Sequence, residues 1–501
     1  MMAAAALVFG LAQRPVEAQD STNDLDVLKR QVRELNQKVE QLESQQQQRA
    51  AETEAATKQE KAQAEADSAK QQQIENLDQQ VRILQRQREL DQEAAAEAVK
   101  SRPKITAGAG GFAFGTANGD FSVGLHGVLQ VDSRTFFNDN APLGADGFLL
   151  RRARPILSGT VFKDIDFMFV PDFGGSTVQI FDAYLNYRYS PEVQLQAGKF
   201  KGLVGLESLQ SDVNIFFNER ALATDLVPNR DIGLMLHGDC ARGVVSYAAG
   251  VFNSTTDYNG STTNANFDNN VAYMGRMMFL PFKPTAVTPL QRLGFGVGGS
   301  YEIDQAWTNT ASTALTPGFT TDGQQRFFSY TNGVVGRGTH WRVAPQAYYC
   351  YGPLEVFGEY VISDQQVVNV PKNQKADLQN TAWEVSAGWI LTGEEANYNV
   401  GVVPKHPFNP VSGNWGWGAW QIVGRYAQLN VDPDTFPTFA NPATSASTAH
   451  AWAVGLNWYL NRNVRCDLSY SHTSFTGGQG PGATVTRDPE QVLFTRIQLG
   501  F

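Results

Sequence analysis

The sequence has few of the residues that build metal centres, disulfide frameworks or catalytic sites. Its 3 cysteines, Cys240, Cys350 and Cys466, stand 110 and 116 residues apart (350 − 240 and 466 − 350) and form no CxxC pair, which argues against a zinc site and against a disulfide framework. The 6 histidines form no HExxH motif, and no GxSxG elbow is present. We therefore predict no metal site, no cofactor and no catalytic residues, and we do not expect an enzyme.

Positive charge and long apolar runs are also scarce. The chain carries 40 basic against 50 acidic residues, a net charge of −10, so a nucleic-acid partner is not expected. Beyond the N-terminus, no apolar run reaches the roughly 18 residues of a transmembrane helix. The mean hydropathy of −0.31 is compatible with a membrane β-barrel, because its strands alternate lipid-facing apolar residues with polar residues that face the lumen.

Residues 1–18 are predicted to be a secretory signal peptide. An apolar segment runs from Ala3 to Ala12, and Val16-Glu17-Ala18 places small residues before a cleavage site at Gln19. The positively charged start of such a signal is missing, so either the true start lies upstream or the signal is atypical. Both alternatives predict export.

Residues 19–100 are predicted to form a periplasmic coiled coil. Apolar residues recur at alternating gaps of three and four, and a second block returns in phase after 49 residues (74 − 25), which is seven heptads. A charged spacer is the alternative interpretation. Valine at a and leucine at d favours dimers, although the polar middle of the segment could tolerate another strand number. The seam residues are Leu25, Leu28, Val32, Leu35, Val39, Leu42, Ile74, Leu77, Val81 and Leu84.

After a linker at 101–120, the apolar period changes to two, and 121–501 is predicted to be one outer-membrane β-barrel. Phe121, Val123 and Leu125 share one face of the first strand. The fold class is therefore an all-β transmembrane barrel of about 16 antiparallel strands with an N-terminal α-helical coiled coil. The predicted strands are 121–133, 148–159, 161–171, 178–189, 192–201, 231–239, 242–252, 271–281, 293–303, 340–350, 353–363, 382–392, 417–430, 449–460, 463–474 and 489–501.

The connections between these strands alternate in length. Short turns such as 460–463 fit the periplasmic side, and the polar stretches 253–270, 304–339 and 431–448 fit external loops. Residues 202–230 show no strand-like alternation and are predicted to be a constriction loop. The final strand ends in Phe501, which is typical of outer-membrane barrels.

The predicted strand at 148–159 carries three arginines, and positive side chains on the lumen face of a barrel would favour the passage of anions. Arg152 and Arg154 share one face and Arg151 lies on the other, so all three reach the lumen only if the strand contains a β-bulge or if loop residues intervene. Arginine suits an oxyanion because its planar guanidinium donates two parallel hydrogen bonds. Arg276 is predicted to face the lumen from 271–281.

The barrel resembles the phosphate- and polyphosphate-selective porins of Gram-negative outer membranes. The resemblance implies a homotrimer of 16-stranded barrels, each with an arginine ladder and a constriction formed by the third external loop. It rests on Arg151-Arg152-Ala153, Phe162-Lys163-Asp164, Phe181-Asp182-Ala183-Tyr184, Gly198-Lys199-Phe200, Gly205-Leu206-Glu207, Glu219-Arg220, Leu391-Thr392-Gly393-Glu394 and Gly455-Leu456-Asn457-Trp458-Tyr459.

The resemblance also implies residue roles. Arg151, Arg152 and Arg220 would line the central anion site. Asp182 would be its acidic partner, and Ser211 a hydroxyl donor. Arg276 matches a ladder position in the same family. Arg154 is added as a pore-lining residue because it shares the inward face of its strand with Arg152.

Three positions depart from the family. Ser208 stands where the family has a lysine, Asp166 at another basic position, and Asp212 in place of a small hydroxyl residue. Without 1–103 the chain has 26 basic (40 − 14) and 32 acidic (50 − 18) residues. Three functions follow: a porin for inorganic phosphate or other small anions, a general porin for small hydrophilic solutes, and a tether whose coiled coil contacts the cell wall. The other expected partner is outer-membrane lipid.

Overall fold

The chain divides into two compact units, Met1–Glu97 and Ala98–Phe501. The structure is a computed structural model. It describes residues 79–93, 102–137, 144–175, 177–254, 270–306, 316, 318–410, 415–479 and 485–501.

In the first unit, residues 79–93 form a helix. Val81 and Leu84, two predicted seam residues, are exposed in this single chain. The signal peptide at 1–18 and the rest of the predicted coiled coil lie outside the described residues, so both stay predictions. Across the described part of the chain, we find no helix with the length and apolarity needed to cross a membrane.

The second unit contains the β-strands. Within the described residues, sixteen of the 21 strands (21 − 5) form a closed antiparallel barrel, in which β21 pairs with β3 and closes the sheet. The five others, β1, β2, β12, β13 and β20, are short. The strands are β1 Lys104–Gly108, β2 Gly111–Gly115, β3 Ser122–Phe136, β4 Gly147–Val161, β5 Ile165–Asp172, β6 Gln179–Ser190, β7 Val193–Lys201, β8 Arg230–Cys240, β9 Val245–Phe252, β10 Ala272–Phe279, β11 Leu293–Gln305, β12 Phe319–Thr320, β13 Arg326–Phe328, β14 Val334–Tyr351, β15 Leu354–Asn369, β16 Gln374–Ile390, β17 Ala419–Asn430, β18 Ala446–Tyr459, β19 Val464–Gln479, β20 Val485–Thr486 and β21 Glu490–Gly500.

The predicted alternation decides which residues face outward. Val123, Leu125 and Leu129 of β3 are exposed on the outside, whereas Gln130 and Asp132 are fully buried inside. Each of the sixteen predicted strands overlaps an observed barrel strand. The expected number of strands and their alternating faces are thus confirmed.

The predicted linker at 101–120 contains the hairpin of β1 and β2. Strand β2 pairs with the first half of β3, with Phe112 opposite Leu125. Phe501 exchanges two backbone hydrogen bonds with Gly127, at 2.9 and 3.0 Å. A Cβ at position 127 would lie 2.9 Å from the ring of Phe501, so the ring packs against the open face of this glycine and would have to shift for a larger residue.

Two loops from the same end of the barrel fill much of the lumen. One is the predicted constriction loop, at 202–229 between β7 and β8. The other connects β11 to β14. The sequence placed 304–339 among external loops, but the hairpin of β12 and β13 within it packs inside the barrel, because its phenylalanines bury against the constriction loop and the alanine-rich wall. Residues in this apolar core include Leu222, Leu226, Phe319, Phe327, Phe328, Val361 and Ala427.

A third segment enters from the opposite end, where the turn at 460–463 lies. Residues 391–418 connect β16 to β17, and their backbone bonds to Gly352 and Leu460 of neighbouring turns. Tyr398 from this segment stacks on Tyr348, with ring centroids 4.7 Å apart, and its hydroxyl donates to the carbonyl oxygen of Leu206 at 2.8 Å. The constriction loop is therefore contacted from both ends of the barrel.

Candidate functional site: an arginine-lined cavity

Strand β4 contains a β-bulge at Arg151. Gln130 of β3 pairs with Arg152 and Val131 pairs with Leu150, so Arg151 is the extra residue between them. In a regular strand Arg151 would face away from Arg152 and Arg154. Because of the bulge, all three arginines line one cavity inside the barrel.

Asp172 at the end of β5 stabilises this bulged strand. Its carboxylate accepts hydrogen bonds from the backbone N–H of Ala153 at 3.0 Å and of Gly174 at 2.8 Å. It also accepts one from Nε of Arg154 at 2.6 Å. A Cβ at Gly174 would lie 2.7 Å from the carbonyl oxygen of Arg151, so the loop after β5 can cover the bulge only with glycine at that position.

A second bulge turns Phe181 into the same cavity. Val170 pairs with Asp182 and Pro171 pairs with Ile180, which leaves Phe181 as the extra residue of β6. The guanidinium carbons of two arginines lie over its ring, Arg154 at 3.9 Å and Arg230 at 4.4 Å from the centroid. This cation–π arrangement holds two arginines from separate strands against one aromatic ring.

The constriction loop contributes Arg220 and the carboxylates of Asp212 and Glu219 to the cavity lining. Each carboxylate is surrounded by its own group of arginines, and the first group lies around Asp212. Nη1 of Arg220 lies 2.6 Å from Oδ1 of Asp212. Arg154 contacts Oδ2 of Asp212, and Nε of Arg152 lies 3.6 Å from the same oxygen.

The second group surrounds Glu219. Its carboxylate accepts from Nε and Nη2 of Arg151, at 2.6 and 2.9 Å, and from Nη2 of Arg134 at 2.9 Å. Loop and wall are therefore joined by charge-assisted hydrogen bonds, which are stronger than neutral ones.

The cavity enclosed by these groups has a volume of about 450 Å³. Among the described residues, three carboxylates line it, those of Asp172, Asp212 and Glu219, against six guanidinium groups, an excess of three positive charges (6 − 3) on the lining, although Arg230 also pairs with Asp182 outside it. A site with this charge attracts anions, although the barrel as a whole is acidic, because local charge at a narrow point outweighs distant screened charge. The six arginines are Arg134, Arg151, Arg152, Arg154, Arg220 and Arg230.

The loop carboxylates are ionised because of these arginines. Burial by itself raises the pKa of Asp212, but Arg152, Arg220 and Arg154 outweigh it and hold that pKa well below the usual range. Burial likewise raises the pKa of Glu219, and Arg151 with Arg134 brings that pKa far below its ordinary value. Both side chains therefore carry negative charge at neutral pH.

The structure brings most, but not all, of the predicted site residues together. Asp182 lies just behind the cavity, where its carboxylate binds Arg230 at 3.1 Å. Ser211 is exposed and is not part of the cavity lining, and Arg276 faces inward but bonds to Gln346 at 3.0 Å outside that lining. The predicted residues that line the cavity are Arg151, Arg152, Arg154 and Arg220.

The three departures from the family lie in different places. Ser208 lines the cavity, and its buried hydroxyl has no hydrogen-bond partner among the described residues. Asp166 lies outside the lining and pairs with Arg188 at 3.0 Å. Asp212 lies among three arginines. Of the three, Asp212 is the one that contacts the arginines of the cavity.

Sequence reasoning missed four residues of the cavity and its support. Arg134 continues the inward face of β3 after Gln130 and Asp132, so the alternation could have found it. Arg230 begins a strand, where no period is yet visible. Asp172 and Phe181 were missed because their roles depend on bulges and on contacts between separate strands.

On its opposite side, the constriction loop is bound by a glutamate of the barrel wall. Glu359 of β15 accepts hydrogen bonds from the backbone N–H of Leu206 at 2.8 Å and of Glu207 at 3.0 Å. Glu384 is its register partner on β16. Glu207 in turn accepts from the backbone N–H of Ala221 at 2.7 Å, and burial raises the pKa of Glu207.

A further group of titratable residues lies near the loop end of β11 and β14. Oxygen atoms of Glu302 and Asp304 and a ring nitrogen of His340 lie within 4.8 Å of one another. Nη1 of Arg342 lies 2.6 Å from Oε1 of Glu302, so a positive charge already compensates these carboxylates. This group therefore fits an ion-pair network better than a metal centre.

Comparison with known proteins places the barrel in a family. The family model of the phosphate-selective porins O and P matches residues 123–501. Among solved structures, the chain is similar to the outer membrane channel DcaP of Acinetobacter baumannii, with 12% identity over 77% of this chain and 99% of that chain and a TM-score of 0.49. It is also similar to OmpT of Vibrio cholerae, with 11% identity over 79% and 100% and a TM-score of 0.47.

A third similar structure is OmpF of Salmonella typhi in complex with daunomycin, with 11% identity over 77% of this chain and 99% of that chain and a TM-score of 0.47. No curated protein matches the sequence significantly. Because the family model covers well over half of the chain, this protein belongs to the phosphate-selective porin O and P family and is an outer-membrane porin.

Proposed function

We propose that this porin passes small anions through the arginine-lined cavity and that inorganic phosphate or polyphosphate is preferred among them. The observation that carries the proposal is the excess of three positive charges on the cavity lining. Guanidinium groups that are fixed in position can exchange an anion's hydration shell for charge-assisted hydrogen bonds. A tetrahedral oxyanion offers several acceptor oxygens to such a group.

Ion selectivity of the reconstituted protein tests this proposal. In planar bilayers under a salt gradient, the reversal potential of the wild type should show anion preference, and phosphate should reduce the chloride current. Arg220→Ala should weaken both effects, because Arg220 is the arginine that the constriction loop itself contributes. Arg188→Ala removes the same charge outside the cavity and should leave both unchanged.

Arg220 also donates to the carbonyl oxygens of Glu207 and Gln210, at 3.0 and 2.8 Å, so its loss changes the loop as well as the charge. Arg151→Gln is a second variant without this complication, because Glu219 keeps its contact to Arg134. A cation-biased reversal potential in the wild type, with chloride current indifferent to phosphate, would contradict the proposal.

A general porin for small hydrophilic solutes is the second candidate. It is favoured by the ion pairs of the cavity, because each of the six guanidinium groups has a carboxylate oxygen within 3.6 Å. Paired arginines bind a passing anion weakly. Anion preference without any phosphate effect would support this candidate.

We further propose a homotrimer in which the barrel contacts outer-membrane lipid through its exposed apolar band, including Leu125, Tyr273 and Val454. Residues 19–100 would form a periplasmic coiled coil that clamps the trimer or contacts the cell wall. Membership in the porin family supports the trimer. Deleting 20–100 should leave the conductance of each pore intact, and cross-linking of the deleted and full-length proteins would show whether the segment is needed for assembly.

A further inference from the structure

The carboxylate of Asp212 occupies the position between wall and loop arginines where an anion would bind. We propose that Asp212 is a tethered counter-anion of this pore, and that a permeating oxyanion binds only by exchanging with its carboxylate. The inference rests on the proposed anion transport and assigns the residue that sets its affinity and selectivity.

The contacts of Asp212 come from two separate parts of the barrel. Arg152 and Arg154 belong to strand β4, whereas Arg220 belongs to the constriction loop. Oδ1 faces Arg220 at 2.6 Å, and Oδ2 contacts Arg154 and lies 3.6 Å from Arg152. One carboxylate therefore neutralises part of the charge of three guanidinium groups, as a bound oxyanion would.

The backbone around Asp212 is fixed to the wall. The carbonyl oxygen of Asp212 accepts from Nε2 of Gln130 at 3.0 Å. The carbonyl oxygen of Val213 accepts from Arg465 and from Gln498, each at 3.1 Å. A solute that exchanges with the carboxylate would therefore displace a side chain whose backbone is anchored to the wall.

The two other carboxylates of the cavity are placed differently. Asp172 accepts two backbone N–H groups as well as Nε of Arg154, so turning its carboxylate away would also break the contacts that hold the bulged strand. Glu219 binds Arg151 and Arg134 and does not contact the group of three arginines around Asp212 in the described contacts. Asp212 is thus the carboxylate whose position an oxyanion can take.

A tethered competitor lowers affinity without removing selectivity. Because it is intramolecular, its effective concentration is high, and every solute must compete with it. Once the solute leaves, the carboxylate returns and the arginines are again paired, which favours exit from the site. Weak binding that permits exit is what conduction requires. The competing solute must resemble a carboxylate, so the expected class is oxyanions with at least two acceptor oxygens.

Asp212→Asn tests the inference in planar bilayers. The measured quantity is the concentration of inorganic phosphate that halves the chloride conductance. We expect this concentration to fall by about tenfold, the factor that corresponds to ~1.4 kcal/mol of binding free energy. The anion-to-cation permeability ratio should rise as well.

Glu219→Gln is the matched control, because it also raises the net charge of the cavity by one but leaves the three arginines around Asp212 paired. A clearly smaller shift in this control supports exchange at Asp212. An equal shift of this phosphate concentration in both variants would mean that net charge alone explains it, and would overturn the inference. Unchanged phosphate block in folded Asp212→Asn would overturn it as well.

Heat-modifiable electrophoretic mobility checks that each variant is a folded barrel. If Asp212→Asn fails that check, Asp212→Ser supplies the same test with a small hydroxyl side chain. The outcome also separates the two proposals. A cation-selective wild type contradicts the proposed function, yet a larger anion shift in Asp212→Asn than in Glu219→Gln would still support the exchange.

Discussion

The two sides of the constriction loop differ in charge, in packing and in what they can bind. On one side, guanidinium groups surround an open cavity of about 450 Å³. On the other side, Glu359 and Glu384 are buried at 4% and 1% exposure, and Glu359 accepts backbone N–H groups of the loop itself. On the basic side the loop meets the wall through the ion pairs of Asp212 and Glu219 and a cavity stays open, whereas on the acidic side Glu359 binds the loop backbone directly.

This difference explains how an acidic barrel can carry a basic constriction. Glutamate is an acceptor, so it suits the backbone N–H groups that a loop presents to a wall. Arginine is a donor with a planar fork, so it suits an anion or a carboxylate that can be exchanged. Acidic residues that fix the loop therefore add to the negative net charge without acting on the path of the solute.

Breaking the acidic side should have the largest effect. Glu359→Leu removes the acceptor for the N–H groups of Leu206 and Glu207, at a cost of about 1–3 kcal/mol for each buried donor left unsatisfied. We expect the part of the loop around Leu206 and Glu207 to leave β15 while the contacts of Asp212 and Glu219 hold the rest, so that single-channel conductance increases and anion preference decreases.

Glu359→Gln keeps one acceptor oxygen for one of the two N–H groups and should therefore lie between the wild type and Glu359→Leu. Glu355→Leu removes another buried glutamate of β15, for which the described contacts show no hydrogen bond to the loop, and should leave conductance unchanged. Wild-type conductance in folded Glu359→Leu would show that the loop is held by other contacts.

Changing the aromatic residue of the basic side should have a moderate effect. Phe181→Leu removes the ring that lies under Arg154 and Arg230, and each cation–π contact contributes about 0.5–1 kcal/mol or more. The two guanidinium groups should become less fixed, so anion preference measured by reversal potential should decrease slightly. Phe173→Leu, an exposed ring nearby, is the control. An equal anion preference in the two variants would show that the Phe181 ring does not hold Arg154 and Arg230 in position.

Acidification should change ion selectivity least. The two sides of the loop differ in the direction in which their carboxyl pKa values are shifted. The depressed pKa values of Asp212 and Glu219 mean that their pairing stabilises the fold above the ordinary pKa and is lost only as pH falls through the lowered values. Anion preference should therefore stay constant from about pH 7 to about pH 4, near the ordinary carboxyl pKa. A rise in anion preference over this range would show that one of the two carboxylates has an ordinary pKa.

The pKa of Glu207, the loop carboxylate on the acidic side, is shifted in the opposite direction to those of Asp212 and Glu219. Because the pKa of Glu207 is raised, it favours the folded state when protonated, and this contribution is lost as pH rises through the raised value.

The barrel could be predicted from sequence because strand alternation is local. Leu125, Gln130 and Trp452 lie on the faces that the period of two assigns to them. The arginine triplet was found as a cluster, and the bulge at Arg151 was one of two ways to direct it to the lumen. Which way applies depends on pairing with β3, and a single strand does not contain that information.

The filling of the lumen could not be predicted for a related reason. Phe319, Phe327 and Phe328 are apolar residues in a long loop, and nothing in their spacing distinguishes an external hairpin from one that packs inside the barrel. Tyr398 belongs to a connection at the end where short turns were expected. Its position depends on Leu206 and Tyr348, which are distant in sequence. Long-range packing decides such segments, and local patterns do not.

The stacking of Tyr398 under the constriction loop has a consequence for the electrical behaviour of the pore. A loop that is held by Glu359 of the wall and by a tyrosine from the opposite end of the barrel has little freedom to fluctuate across the current path. Open-channel current noise reports such fluctuations directly. Recordings should therefore show a quiet open level with rare spontaneous closures, and the signal of single solutes in the cavity should stand out against that background.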